Sequence, residues 1–132
     1  NASRYDSDPR LQVKEPSING FLEDLATSRA VICTAGFTLM SEALYLGKPL
    51  LVVPNDGIFE QQLNARFLER EGLGERIEQG HLSAEVVERF LARTEQYRTQ
   101  LSRLNVCGNE EAVGRIEEMV AEQTAHTVPV TG

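Results

Sequence analysis

The chain has 132 residues and a formal net charge of −7 at pH 7, with 13 Lys and Arg against 20 Asp and Glu. This length fits one domain or a part of a larger one. The acidic balance argues against a binder of nucleic acid or of anionic membranes, since both select basic surfaces. Hydrophobic residues make up 41% of the chain, which is enough for a core. No apolar run approaches the roughly 18 residues that predict a membrane span.

The cysteines and the N-terminus predict a reduced, cytoplasmic protein. Cys33 and Cys107 give neither a disulfide framework nor the spacing of a metal site. We expect no signal peptide, because the first residues are polar. The chain opens on Asn1-Ala2 without a methionine, from which we predict that residues 1–2 are a tag remnant.

Strands and helices alternate in the first half of the chain. Residues 11–13 alternate in polarity and predict a short strand that stops at Pro16. Residues 17–28 predict a helix, capped by Ser17 or Asn19. Residues 30–33 then form a continuous apolar run, which is typical of a strand buried on both faces.

The next elements continue this alternation. Residues 39–46 predict a short helix that Gly47 ends, and residues 50–53 predict a second buried strand. An amphipathic helix follows at residues 59–70. Glycines at positions 72 and 74 are predicted to end it.

Residues 75–77 predict a short edge strand, and the remainder of the chain is helical and charged. Ser83 caps a first helix, a second follows it, and a third begins after Gly108-Asn109. Their apolar positions are Val86, Val87, Phe90, Leu91, Tyr97, Leu101, Leu104, Val113, Ile116, Met119 and Val120. We divide the chain into an α/β region at 3–82, C-terminal helices at 83–125 and a flexible tail at 126–132.

This order predicts an open α/β fold with a parallel sheet of Rossmann-like βα units, followed by C-terminal helices. Ligands of such sheets bind beyond the carboxyl ends of the strands, at helix N-termini. Two loops occupy those positions, at residues 34–38 and 54–60.

The first loop, Thr34-Ala35-Gly36-Phe37-Thr38, joins a strand to the start of a helix. The free N–H groups of the first helical turn and the helix dipole attract anions, and Gly36 permits close approach. Thr34 and Thr38 add hydroxyl donors. Together these groups predict a diphosphate site, while the alternative is that Gly36 serves ordinary turn chemistry.

Glu42 lies one helical turn after Thr38, on the same face. A carboxylate there can accept hydrogen bonds from both hydroxyls of a ribose. The alternative is a solvated helix glutamate. Its neighbours Met40, Ala43 and Leu44 predict that this segment is largely buried.

The second loop leads into Glu60 and Gln61 at the start of a helix. These side chains can project towards the same crevice and bind sugar hydroxyls. Alternatively, Glu60 is a first-turn acid that the helix dipole favours, and Asn64 satisfies a buried backbone group.

Four motifs follow one another through this region. They are Thr34-Ala35-Gly36-Phe37-Thr38-Leu39-Met40-Ser41-Glu42-Ala43-Leu44, Gly47-Lys48-Pro49, Val52-Val53-Pro54 and Glu60-Gln61-Gln62-Leu63-Asn64-Ala65. In this order they resemble the donor-binding domain of GT-B glycosyltransferases, of the MurG type and the broader UDP-glycosyltransferase group. That family shares a small-Gly-x-Thr turn, a Glu-Ala pair, a Gly-x-Pro turn, a strand ending in Pro, and a pair ending in Gln before Asn-Ala. The resemblance covers residues 21–77.

The resemblance implies a nucleotide-sugar donor as partner, and a UDP-sugar in particular. It assigns Gly36, Phe37 and Thr38 to the donor diphosphate, Glu42 to the ribose, Glu60 and Gln61 to hydroxyls of the transferred sugar, and Leu22 to the base through its backbone. Ala35 stands where many relatives carry a second Gly or a Ser, which shifts the expected phosphate contacts. Glu60 stands where the larger group has Asp and the MurG type has Gln, so the transferred sugar stays open.

In this family further strand–helix units precede the equivalent of Leu11, and the acceptor and the general base belong to the N-terminal domain. We therefore predict that residues 3–82 are a donor-binding region with no catalytic residue of its own. Its partner would be the missing N-terminal acceptor domain of the same chain, and the fragment alone would be inactive. His81 is predicted to lie at the surface, His126 in the tail, and Cys33 is predicted to be a buried small side chain rather than a nucleophile.

Three functions follow from these observations. The first is the donor-binding part of a glycosyltransferase that acts on a hydroxyl acceptor. It would need neither metal nor cofactor, because the helix N-terminus stabilises the departing diphosphate. The second is a sugar-nucleotide epimerase of related fold. The third is a non-catalytic α/β module whose acidic helices bind another protein.

Overall fold

The computed structural model describes residues 9–104 and 108–125. In chain order its elements are α1 (Ile18–Thr27), β1 (Val31–Cys33), α2 (Phe37–Tyr45), β2 (Leu50–Val52), α3 (Phe59–Arg70), β3 (Gly74–Arg76), α4 (Ala84–Ala92), α5 (Thr94–Leu101) and α6 (Asn109–Ala125). The expectations for the tag remnant, for Cys107 and for the tail that contains His126 fall outside the described residues.

The strands form one parallel sheet in the order β1-β2-β3. Val31 pairs with Leu50, and Leu50 pairs with Gly74. A helix connects each strand to the next, so the predicted α/β fold with a parallel sheet is confirmed. The carboxyl ends of the strands lie at one side of the sheet, and both candidate loops leave from that side.

Strand β2 is buried on both faces and separates two apolar clusters. Leu50 and Val52 face one cluster and Leu51 faces the other, because side chains alternate along a strand. The first cluster contains Leu25, Ala35, Met40, Ala43, Leu50, Val52, Ala65, Leu68, Leu73 and Leu101, and the second contains Leu51, Phe90 and Tyr97. Helices α2 and α3 pack against β2 through the first cluster, and this packing fixes the two loops from which the helices start.

A buried carboxylate joins β3 to the helices that follow it. Glu75 is 8% exposed. It accepts hydrogen bonds from Tyr97 Oη at 2.7 Å, Arg93 Nη1 at 2.9 Å and Arg89 Nη2 at 3.4 Å. Burial, followed by the bond to Glu75, raises the pKa of Tyr97 above its usual range. The sequence pattern placed Glu75 in an edge strand and gave no sign of this contact.

Helix boundaries largely follow the predicted caps. The side chain of Ser17 accepts from the N–H of Gly20 at the start of α1, and that of Ser83 accepts from the N–H of Val86 at the start of α4. Gly47 ends α2 with a φ of +68°, as predicted. Helix α2 begins at Phe37, earlier than the predicted residue 39.

The prediction that Gly74 ends α3 is wrong. Gly72 ends that helix with a φ of +68°, whereas Gly74 is the first residue of β3. A Cβ at position 74 would lie 2.0 Å from the carbonyl oxygen of Leu50. Glycine is needed there because β2 and β3 approach each other closely, and not because a helix stops.

Two strand predictions also need correction. Residues 11–13 form no strand, since Leu11 and Val13 are 48% and 68% exposed and pair with no described strand. A short alternating run forms a strand only where a partner completes its hydrogen bonds. Strand β1 exists, but it is not buried on both faces: it lies at the edge of the sheet and Ile32 is 47% exposed.

The C-terminal helices α4 and α5 are separate elements, and Tyr97 and Leu101 are buried as the pattern indicated. Helix α6 follows the predicted break, but its apolar positions are exposed. They are Val113, Ile116, Met119 and Val120. No helix among the described residues is both long and apolar enough to cross a membrane.

Candidate functional site

The loop after β1 ends in an open helix N-terminus. Gly36 is the N-cap of α2, with φ −71° and ψ 133°, and no side chain caps the first turn. The carbonyl of Gly36 accepts from the N–H of Met40 at 3.2 Å, which is the first hydrogen bond of the helix. A Cβ on Gly36 would meet no atom within 4 Å. The first turn of α2 is therefore uncapped and the space beside Gly36 is open, so an anion can approach its N–H groups.

The residues around Gly36 differ in exposure. Ala35 is fully buried in the core beneath the loop, whereas Phe37 is 67% exposed. The side chains of Thr34 and Thr38 are exposed as well. Burial of Ala35 anchors the loop, and the polar side chains predicted for the diphosphate face solvent.

Leu22 on α1 and Glu42 on α2 line one cleft of about 500 Å³. The other lining residues are Pro16, Ser17, Ile18 and Phe21. A cleft of this size is within the usual range for small-molecule sites. One carboxylate therefore stands beside an otherwise mostly apolar wall.

The expectation that Glu42 lies in a buried segment is wrong for Glu42 itself. Met40 and Ala43 are buried, but Glu42 is exposed. The helical repeat explains this difference, because successive residues point in directions about 100° apart. The carboxylate is therefore solvated and needs no buried partner.

The loop after β2 is organised by two glutamines on α3. Gln61 is half-buried, and its Oε1 accepts from the N–H of Asn55 at 2.9 Å. The side-chain nitrogen of Gln62 donates to the carbonyl of Asn55 at 3.4 Å. The side-chain oxygen of Gln61 thus accepts a bond from the loop before α3. The NH₂ group of Gln61 is therefore the part that is suited to a ligand.

Asn64 connects the two loops. Its Nδ2 donates to the carbonyl of Ala35 at 3.0 Å and to Oε1 of Glu60 at 3.1 Å. The alternative prediction that Asn64 satisfies a buried backbone group is therefore confirmed. The bond to Glu60 was not predicted, although the spacing of four residues on one helix allows it. Glu60 itself lies in the first turn of α3 and is exposed.

An apolar cleft of about 570 Å³ lies beside the first loop and was not predicted from the sequence. Phe37, Leu63 and Phe67 line it, together with Asn64, Arg66 and Arg70. The guanidinium of Arg70 lies 5.3 Å from the centre of the Phe67 ring. The spacing of Leu63 and Phe67 on α3 was the available signal, but that pattern equally predicts a core-facing stripe.

Cys33 and His81 were predicted to have no part in the chemistry, Cys33 as a buried side chain and His81 at the surface. Cys33 is a half-buried free thiol, and burial raises its pKa to about 11. At neutral pH the thiol stays protonated, which makes it a poor nucleophile. His81 is exposed.

Comparisons with known proteins relate the chain to enzymes of sugar transfer. Residues 3–95 match the family described as "Glycosyl transferase family 1". A protein of Methanosarcina acetivorans described as "Uncharacterized glycosyltransferase" is 33% identical over 103 residues, which cover 74% of this chain and 27% of that protein. The UDP-N-acetylglucosamine–N-acetylmuramyl-(pentapeptide) pyrophosphoryl-undecaprenol N-acetylglucosamine transferase of Acetivibrio thermocellus is 29% identical over 123 residues, or 84% of this chain and 33% of that protein.

Two solved structures share the fold. The spinosyn forosaminyltransferase superposes with a TM-score of 0.61 at 20% identity, over 86% of this chain and 34% of that one. The "glycotransferase of kitacinnamycin" superposes with a TM-score of 0.60 at 19% identity, over 77% of this chain and 27% of that one. The chain therefore spans about a quarter to a third of the length of the proteins it matches.

Proposed function

Because the chain belongs to glycosyl transferase family 1 and has the fold of the C-terminal domain of GT-B glycosyltransferases, we propose that it is the donor-binding part of an enzyme that transfers a sugar from a UDP-sugar to a hydroxyl acceptor. The observation that carries the proposal is the cleft that Leu22 and Glu42 share. These residues lie on different helices, and the family resemblance assigns them to neighbouring parts of one nucleoside.

Each part of the donor has a proposed contact. The carboxylate of Glu42 accepts hydrogen bonds from the ribose hydroxyls, and the base lies against α1 at Leu22. The diphosphate lies at the N-terminus of α2, beside Gly36 and Thr38. The acidic chain has no basic cluster in this loop, so the helix terminus is the feature that attracts the anion.

The same helix terminus supports the proposed reaction. An acceptor hydroxyl oxygen forms a bond to the anomeric carbon while the bond from that carbon to the diphosphate breaks, and UDP departs. The acceptor proton passes to a base in the rest of the polypeptide. Negative charge grows on the departing diphosphate, and the N–H groups around Phe37 stabilise it more in the transition state than in the bound donor.

The remaining parts of the proposal concern the whole protein. The acceptor site and the general base would come from the N-terminal domain of the same polypeptide, so the described chain alone would be inactive. We also propose a cytoplasmic location, which the free thiol of Cys33 supports. The family match supports glycosyl transfer over the epimerase and over the non-catalytic module.

The test is calorimetric titration of the full-length protein with UDP and with GDP. We expect UDP to bind in preference to GDP, and Glu42→Ala to weaken UDP binding by about tenfold or more, since two hydrogen bonds to a charged group are lost. Glu88→Ala, which removes an exposed carboxylate on α4, is the matched control and should bind UDP like the unsubstituted protein. Equal affinity of Glu42→Ala and the unsubstituted protein would contradict the ribose contact.

A further inference from the structure

The amide group of Asn64 has both of its hydrogens engaged. Its Nδ2 donates to the carbonyl of Ala35 at 3.0 Å and to Oε1 of Glu60 at 3.1 Å. A side-chain amide nitrogen carries two hydrogens, so these two acceptors use its full donor capacity. The position of one acceptor is fixed, because Ala35 is fully buried.

The other acceptor would be free to move without this contact. Glu60 is exposed, and a solvated glutamate samples several rotamers. Asn64 is half-buried on the same helix, one turn further along, and its side-chain nitrogen bonds one carboxylate oxygen of Glu60. The second carboxylate oxygen of Glu60 is left to accept a bond from a ligand.

We infer that Asn64 is a positioning residue for the transferred sugar: it orients the carboxylate of Glu60 and couples it to the diphosphate loop through Ala35. This inference rests on the proposed function and on the contact of Glu60 with sugar hydroxyls that the family resemblance implies. A carboxylate held in this way accepts hydrogen bonds and donates none.

A purely structural role is the alternative, in which Asn64 only ties the two loops together. The two roles differ in how Asn64 and Glu60 depend on each other. If Asn64 acts on the sugar through Glu60, removing it has no further effect on the sugar once Glu60 is gone. If it acts only on the loops, its removal has the same effect with or without Glu60.

The experiment is a double-mutant cycle in the full-length protein. Affinities for UDP, UDP-glucose and UDP-N-acetylglucosamine are measured for the unsubstituted protein, Asn64→Ala, Glu60→Ala and the double variant. The ratio of UDP-sugar affinity to UDP affinity isolates the contribution of the sugar. Gln100→Ala is the matched control, because Gln100 is a half-buried amide on α5 that lies outside both loops. Thermal unfolding of every variant verifies that it is folded, and Asn64→Ser, which keeps one donor, replaces Asn64→Ala if that variant is not.

We expect Asn64→Ala to lower the affinity ratio about tenfold for at least one UDP-sugar, with no further decrease when Glu60→Ala is already present. Gln100→Ala is expected to leave the ratio unchanged. An unchanged affinity ratio in Asn64→Ala would overturn the inference, and so would an equal decrease with and without Glu60→Ala. The proposed function would still stand if UDP binding depends on Glu42. If the unsubstituted protein binds no UDP-sugar, both are overturned.

Discussion

Gly36 is the N-cap of α2, where glycine is favoured over alanine, but neither its backbone angle nor its packing requires a glycine. Its φ of −71° is available to any residue, and no atom beyond its neighbours in the chain lies within 4 Å of the place where a Cβ would be. Gly47 differs, because its φ of +68° favours glycine. Two explanations of Gly36 are therefore the N-cap preference for glycine and close approach by a ligand.

Gly36→Ala separates these two explanations. The change is expected to alter the free energy of unfolding by no more than about 1 kcal/mol, because lower chain entropy and the weaker N-cap preference of alanine oppose each other. Affinity for UDP, measured by calorimetry in the full-length protein, is expected to fall about tenfold, since the added methyl group occupies the space beside the helix N–H groups.

Gly114→Ala is the control for this change. Gly114 lies inside α6, and a Cβ there would meet no atom within 4 Å, so alanine should stabilise the helix by about 0.5–1 kcal/mol without affecting UDP. If Gly36→Ala and Gly114→Ala bind UDP equally well, Gly36 is only a turn residue.

The helices of this chain were easier to predict than the strands, and the reason is local chemistry. Ser17 and Ser83 cap their helices through hydrogen bonds that span three residues, so the signal lies within one stretch of sequence. The strands are three residues long and depend on partners that are distant in the chain. Residues 11–13 carry the pattern of a strand, yet no described strand pairs with them.

Gly74→Ala tests the strand pairing that the sequence did not reveal. The new Cβ would lie 2.0 Å from the oxygen and 2.9 Å from the carbon of the Leu50 carbonyl, and backbone atoms cannot move aside as a flexible side chain does. We expect a loss of at least about 2–3 kcal/mol in the free energy of unfolding, measured by urea denaturation, as β3 shifts away from β2.

Two other glycine variants give the comparison. Gly36→Ala and Gly114→Ala place a methyl group in open space and should leave the free energy of unfolding, measured in urea, within about 1 kcal/mol of the unsubstituted protein. A Gly74→Ala protein as stable as these two would mean that β2 and β3 do not approach as closely as the pairing of Leu50 with Gly74 indicates.

At the scale of the whole molecule, the sequence predicted the layers but not the contacts between them. The alternation of apolar runs and amphipathic helices indicated a parallel sheet, and β2 is fully buried as its Leu-Leu-Val run implied. The contact of Glu75 with Tyr97 and Arg93 could not be predicted, because a charged residue in a strand normally indicates solvent. The bond from Asn64 to Ala35 likewise depends on how α3 packs beside α2, which no local pattern encodes.

The distribution of charge and exposed apolar surface leads to a last prediction, for the isolated chain. Ile116 and Val120 on α6 are 60% and 58% exposed, while a net charge of −7 keeps separate molecules apart at pH 7. Lowering the pH towards the isoelectric point of about 4.9 removes that repulsion. Light scattering is therefore expected to show self-association that is strongest near pH 4.9 and that salt promotes at pH 7.5, because ions screen the repulsion.

The double variant Ile116→Gln/Val120→Gln leaves the net charge unchanged and removes apolar surface, so it should associate less at every pH. Association equal to that of the unsubstituted chain would show that the α6 face does not contribute.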